Sequence, residues 1–369
     1  MKRLAQLLTL FLTLLTHPLW GSPFGADWSQ TDFSKKNVDL AQIQSGGPGK
    51  DGIPAIDHPH FVSPDQARQW LHDKEPVIAL VLGDDARAYP LQILIWHEIV
   101  NDVVQGQPVM VTFCPLCNAA MSFKRTLKNK VYDFGVSGLL RHSDMVMYDR
   151  QTHSWWQQFT GTGIVGTHTG TQLHTLPSPI ISFAHFYKAH PEGKVLSRQT
   201  GHSRQYGHNP YRGYDRIGND PFLLEGDADP RLPAMERVLG LSDGQQMHRI
   251  YPFQFLQEHP LFQDQFQETP LVIFSRMGTL SALDAGKIHQ GREILQAAAY
   301  DRRLKDHGTL DFIQHQGEIL DKQTRSHWNL LGQAVSGPLR GQRLSQKDQG
   351  VHFAFAWLVF RPSSEIKQP

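Results

Sequence analysis

Apolar positions along this chain fall in short runs, with little of the three-and-four spacing that marks long helices. Residues 77–82, 109–113, 121–124, 131–136 and 145–148 are rich in β-branched and aromatic side chains and are separated by turn signals, so each is predicted as a strand. Residues 149–152 read as a turn, because Asp149 can bond nearby backbone amides and residues 145–148 and 154–159 flank it as strands. One helix is predicted over residues 91–100: Pro90 offers a natural start, and Leu91, Leu94, Ile95 and Ile99 fall near one face. The glycines and prolines, spread along the whole chain, agree with many turns and short elements.

The pattern is then met a second time. Residues 77–80 and 88–94 (Val-Ile-Ala-Leu, Ala-Tyr-Pro-Leu-Gln-Ile-Leu) resemble residues 238–241 and 250–256 (Val-Leu-Gly-Leu, Ile-Tyr-Pro-Phe-Gln-Phe-Leu). His97 and Asp102 fall opposite His259 and Asp264, and Asp133-Phe134 opposite Asp311-Phe312. Asp149-Arg-Gln-Thr-His-Ser-Trp-Trp156 matches Asp321-Lys-Gln-Thr-Arg-Ser-His-Trp328, and Gly161, Gly166, Gly170 and Leu173 then run with Gly332, Gly337, Gly341 and Leu344. Two copies are too few for a solenoid. The expected fold is therefore α+β and β-rich, made of two fused, internally duplicated halves at residues 76–200 and 238–362. An extension (22–75) precedes them, a Gly-, Pro- and Tyr-rich connection (201–237) joins them, and a short tail (363–369) follows.

Charge and termini narrow the setting. The net charge is +1 with no block of Lys and Arg, which speaks against nucleic acid as a partner. Lys2 and Arg3, an apolar stretch to about Leu15, and the small residues Gly21 and Ser22 predict a signal peptide over residues 1–21. The protein is expected in the periplasm or outside the cell, with no membrane span once the leader is removed.

In that setting the two cysteines stand out. They lie three positions apart, so a bridge between them would close a tiny loop and restrain the unfolded chain very little. The stretch opposite them in the second half, residues 274–280, has no Cys, so the fold does not require the pair. Thr112-Phe-Cys-Pro-Leu-Cys-Asn118 sits between two strand-like runs, which leaves little room for the long helix of a thioredoxin-like motif. A metal knuckle suits it better: a tight turn aims both sulfurs one way, and Asn118 tolerates the left-handed geometry that closes it. Four ligands complete a tetrahedral site. The sequence offers His97 on the helix leading in and His142 in a loop, so Cys114, Cys117, His97 and His142 form the predicted set, suited to one Zn or Cu(I) ion. A thiol–disulfide oxidoreductase acting on a partner protein is the alternative, and an enzyme using His97, Glu98 and Asp144 a third reading. No phosphate loop or Cys-His haem signature is present, so neither a nucleotide nor covalent haem is expected.

At residues 96–102, 112–118, 135–140 and 143–156 the sequence resembles an uncharacterised family of exported bacterial and archaeal proteins, catalogued as domain of unknown function 3179. The combined His-Glu-Ile-Val-Asn-Asp and Phe-Cys-Pro-Leu-Cys motifs carry the resemblance. It implies an extracytoplasmic location and no activity, catalytic residue or cofactor.

Overall fold

Residues 24–368 are described by the computed structural model, and the predicted leader lies outside them. Strands dominate. No helix among the described residues exceeds seven residues, and none is long and apolar enough to cross a membrane.

Three kinds of sheet organise residues 76–196. The hairpin Pro76–Leu82 and Asp85–Pro90 is flanked by Ile180–Ser182, antiparallel, and Lys194–Leu196, parallel. Ile99–Val104, Gln107–Cys114 and Ala119–Lys124 form an antiparallel meander closed by Thr175–Leu176. Phe134–Arg141, Asp144–Asp149, Trp155–Gln157 and Thr162–Val165 form the third, extended by Ile43–Ser45 from the N-terminal segment. Residues 237–366 pair in the same orders. Val351–Phe353, Arg237–Ser242, His248–Pro252 and Glu365–Ile366 make one sheet, again with a parallel last pair. Leu261–Phe266, Thr269–Leu280, Glu293–Asp301 and Ser345–Gln346 make the next, and Phe312–His315, Glu318–Asp321, His327–Trp328 and Ala334–Ser336 the third. Between them, residues 201–236 contain no helix or strand.

The predicted helix ends earlier than its apolar face suggested. It spans Leu91–His97, and Glu98 then turns the chain with φ 58° and ψ −31°. Ile99, Val100, Val103 and Val104 are β-branched and pair with Gln107–Cys114, so ladder bonds and side-chain shape win over helical periodicity. The run at 131–136 is also broken: Tyr132 and Asp133 leave the ladder to engage Arg125 through its backbone and guanidinium.

The Asp-x-x-Thr-x-Ser-x-Trp motif is an acceptor hub. Asp149 accepts from Thr152 N at 2.7 Å, Thr152 Oγ1 at 2.8 Å and the Trp156 indole N–H at 3.0 Å. Asp321 does the same for Thr324 and Trp328, the latter also at 3.0 Å. Asp149 and Trp156 are fully buried, so Asp149→Ala would strand the buried Trp156 indole N–H together with the half-buried donors of Thr152. It is expected to lower stability by about 3 kcal/mol, at roughly 1–3 kcal/mol for each unpaired group. Denaturant unfolding checks this, and a loss below about 1 kcal/mol would contradict the hub role.

A single buried cluster joins Tyr89, Phe113, Cys114, Cys117 and Trp156 with Phe353, Phe355 and Trp357 from near the C-terminus. The cysteine loop thus sits inside a core built from residues as far apart as Ala55 and Leu358.

Candidate metal and ligand site

The loop grows directly out of the meander. Gln107–Cys114 and Ala119–Lys124 pair through to Cys114 opposite Ala119, and Pro115–Cys117 bridges them as one 3-10 turn. Pro115 presets the turn, and Asn118 closes it in the left-handed region at φ 49° and ψ 34°, as its residue type predicted. Both cysteines are free and buried. The strand that holds the same place in the later set of sheets, Thr269–Leu280, runs on without such a turn.

A third donor faces the sulfurs. Arg141 pairs with Asp144 across a two-residue turn, with His142 at φ 51° and Ser143 at φ 67°. Two consecutive left-handed residues suit Asn or Gly far better than His and Ser. The turn at the matching place in the second half carries Gln316 and Gly317. Glycine eases the second position there, but Gln316 keeps the first at φ 51°, so the strain peculiar to the first turn is that of Ser143. The turn brings the Ser143 carbonyl to 3.9 Å from Cys114 Sγ and starts a strand whose first side chain, Asp144, points inward.

Asp144 is fully buried. Its Oδ2 accepts from Gln157 Nε2 at 2.6 Å and from Phe159 N at 2.9 Å, while Oδ1 is buried with no hydrogen-bond partner. Cys114 Sγ, Cys117 Sγ and a carboxylate oxygen of Asp144 all lie within 4.8 Å of one another. Among the described residues this is the group able to hold a metal ion.

Electrostatics set the group apart. Burial pushes the Asp144 carboxyl up to about 6, against the pull of Gln157 and Phe159 N. Burial likewise raises the Cys114 thiol, and raises Cys117 well above its ordinary value. Glu98, at the helix exit, is pushed up to about 8 by burial and then by Asp144. Its carboxyl makes no hydrogen bond among the described residues and lines a cavity of about 550 Å³.

That cavity adjoins the loop through Leu116 and Met145, and Tyr211 and Tyr214 of the connecting segment form part of its wall. Gly138 belongs to the same wall at φ 76°; a Cβ there would meet the Pro48 carbonyl oxygen at 2.0 Å, so only glycine fits. The geometry can therefore bind a cation through two sulfurs and one oxygen beside a mainly apolar chamber.

The histidines lie elsewhere. His97 Nδ1 donates to the Pro54 carbonyl at 2.7 Å, leaving Nε2 to accept from the Tyr206 hydroxyl at 2.7 Å. Both nitrogens are occupied, and burial lowers its pKa to about 4, so His97 is held neutral and away from the sulfurs. His142 sits at the turn itself, its ring 5.9 Å from that of Phe360, and is not part of the ligand group. Asp144 takes the third place in the group because it begins the strand that leaves the turn and is buried, whereas His142 lies in the turn itself. Tyr211 and Tyr214 were legible only as aromatics in an irregular stretch.

A family model described as Protein of unknown function (DUF3179) matches residues 50–364. No curated protein and no solved structure matches the chain.

Proposed function

The chain belongs to the DUF3179 family, and since that membership assigns no activity, we propose a function from the residues themselves: an exported protein that binds one soft or borderline metal ion through Cys114, Cys117 and Asp144. The observation that carries this reading is the buried Asp144 carboxylate, whose Oδ1 meets no N–H or O–H donor and faces two free thiols. An unpaired buried carboxylate oxygen costs free energy, and a cation is the partner that the two sulfurs would share with it. Two thiolates suit Zn or Cu(I), and three protein ligands leave a position for water or a molecule in the cavity. His97 and His142 then act as supports of the helix exit and the turn. The periplasm or the extracellular space is the proposed location, on the charge and apolar pattern of residues 1–22.

We further propose that the two halves are copies of one unit, of which only the first carries the site. Support comes from the recurrent strand orders and the paired Asp149 and Asp321 hubs. Arg87 and Tyr89 on Asp102 are also matched by Arg249 and Tyr251 on Asp264.

Thiol–disulfide exchange is the second reading, favoured by two free thiols in one turn. Against it, burial raises both thiols, whereas exchange runs through an accessible thiolate. Elemental analysis of anaerobically purified protein separates the two. We expect about one Zn or Cu per chain. Metal-free protein carrying a Cys114–Cys117 disulfide would overturn the metal reading in favour of exchange.

A further inference from the structure

A second cavity, of about 360 Å³, lies where the two halves meet, away from the cysteines. Thr160, Thr162 and His174 line it from one side, and Ser242, His248 and Arg361 from the other. No carboxylate is among its lining residues. Arg361 follows the Ala354–Phe360 helix, and its guanidinium stacks over Trp357 at 4.4 Å and Phe159 at 5.1 Å. Nη2 donates to Gln349 Oε1 at 2.7 Å, but Nη1 is buried with no partner. No ion pair involves Arg361 among the described residues. Burial alone lowers its pKa to about 10, with no acid offsetting it.

A guanidinium does not shed its charge at neutral pH, so a buried one with a free N–H lacks a partner. Ring stacking offsets part of the desolvation and leaves the N–H unmet. Other donors gather around the same space. Thr160 Oγ1 accepts from Thr162 N, which leaves its own proton to donate. His248 Nδ1 is engaged by Ser242 Oγ at 2.9 Å, leaving Nε2. Asp243, next to Ser242, is turned into its own loop, accepting from Gln245 N and Met247 N. We propose that this cavity is a binding site for a small oxyanion, a phosphate or a carboxylate, held by the Arg361 fork with Thr160 and His248 as secondary donors. The planar fork of Arg matches both anions, which is the chemistry they share.

The test uses the mature full chain titrated with inorganic phosphate and with succinate, at constant ionic strength made up with chloride, and followed by calorimetry and by thermal stability. Saturable binding of at least one anion is expected, with a matching rise in melting temperature; the tighter of the two identifies the source. Arg361→Met keeps an apolar stem against Trp357 and Phe159 and is expected to weaken binding about 30-fold or more. Thr160→Val, which preserves shape, is expected to weaken it about fivefold and carries the test if the arginine variant misfolds. Absence of saturable binding by both anions, or equal binding by the folded variants, overturns the proposal. An arginine needed only for stacking would give that second result.

Discussion

Metal affinity is expected to rise about a hundredfold for each unit of pH between about pH 6.5 and 8, because each binding event must displace two thiol protons. Burial holds Cys114 and Cys117 above their ordinary range, so both are protonated across that window in the metal-free protein. Asp144, at about 6, is already ionised there and adds a third proton only on the acid side. Cys117→Ser removes one ligand and one titrating proton together. It is expected to lower affinity by at least about 100-fold, beyond the roughly 10–100-fold lost with an outer partner, and to halve the pH slope. Asp144→Asn keeps the bonds' shape but not the charge; it should weaken binding while leaving the two-proton slope intact. Competition with a coloured chelator across pH reads both quantities. An unchanged affinity in Cys117→Ser, or a slope that stays at two protons, would remove the cysteines from the site.

The two proposed sites differ in electrostatics. Around the cysteine loop the buried groups are acidic: two thiols, Asp144 and Glu98. Two thiolates and a carboxylate outweigh the charge of a bound Zn or Cu(I), so a loaded site stays net negative. Glu98 therefore keeps its reason to remain protonated when metal binds. A protonated carboxyl in the wall of an apolar chamber is a hydrogen-bond donor. At the seam the buried group is cationic, and the cavity before it has no acid.

Some of this was legible in the residues and some was not. Cys-Pro-x-Cys-Asn announced its own turn, because proline and a left-handed Asn are local determinants. The Asp149 turn was equally readable, since its acceptor bonds reach only a few residues along the chain. His97 misled because a helix-borne imidazole looks the same in sequence whether its partner is a metal or the carbonyl of Pro54, 43 positions earlier. His142 against Asp144 was a question of where the turn ends: His142 lies in the turn itself, Asp144 begins the strand two positions on, and no local signal fixes that boundary. Glu98 was named only in the enzyme reading, and its place in the cavity wall was hidden for a further reason. Its role rests on the end of the helix at His97, which depends on the strand that Ile99 and Val100 join.

Glu98 also makes a pH-dependent contribution to stability that a single substitution can isolate. Its carboxyl is ordinary in the unfolded chain, near 4.5, and is pushed up to about 8 in the fold. Between those values the folded state holds a proton that the unfolded state has released, so stability falls as pH rises. The contribution is fully present below about 4.5, and the loss is complete once pH passes about 8. Integrated over that window it is on the order of 4 kcal/mol. Glu98→Gln keeps the size and the neutral charge at every pH. Metal-free wild type and variant are expected to match near pH 4.5, with the variant gaining by about 4 kcal/mol near pH 8. Other groups shift too: burial lowers His97 and His352, which act on the acid side, while Asp144 titrates near 6. The difference between the two proteins cancels these, leaving the Glu98 proton alone. Urea unfolding at stepped pH measures that difference. A flat curve would mean that Glu98 ionises freely in the fold, and that its carboxyl is solvated or paired in place of being held neutral against the cavity.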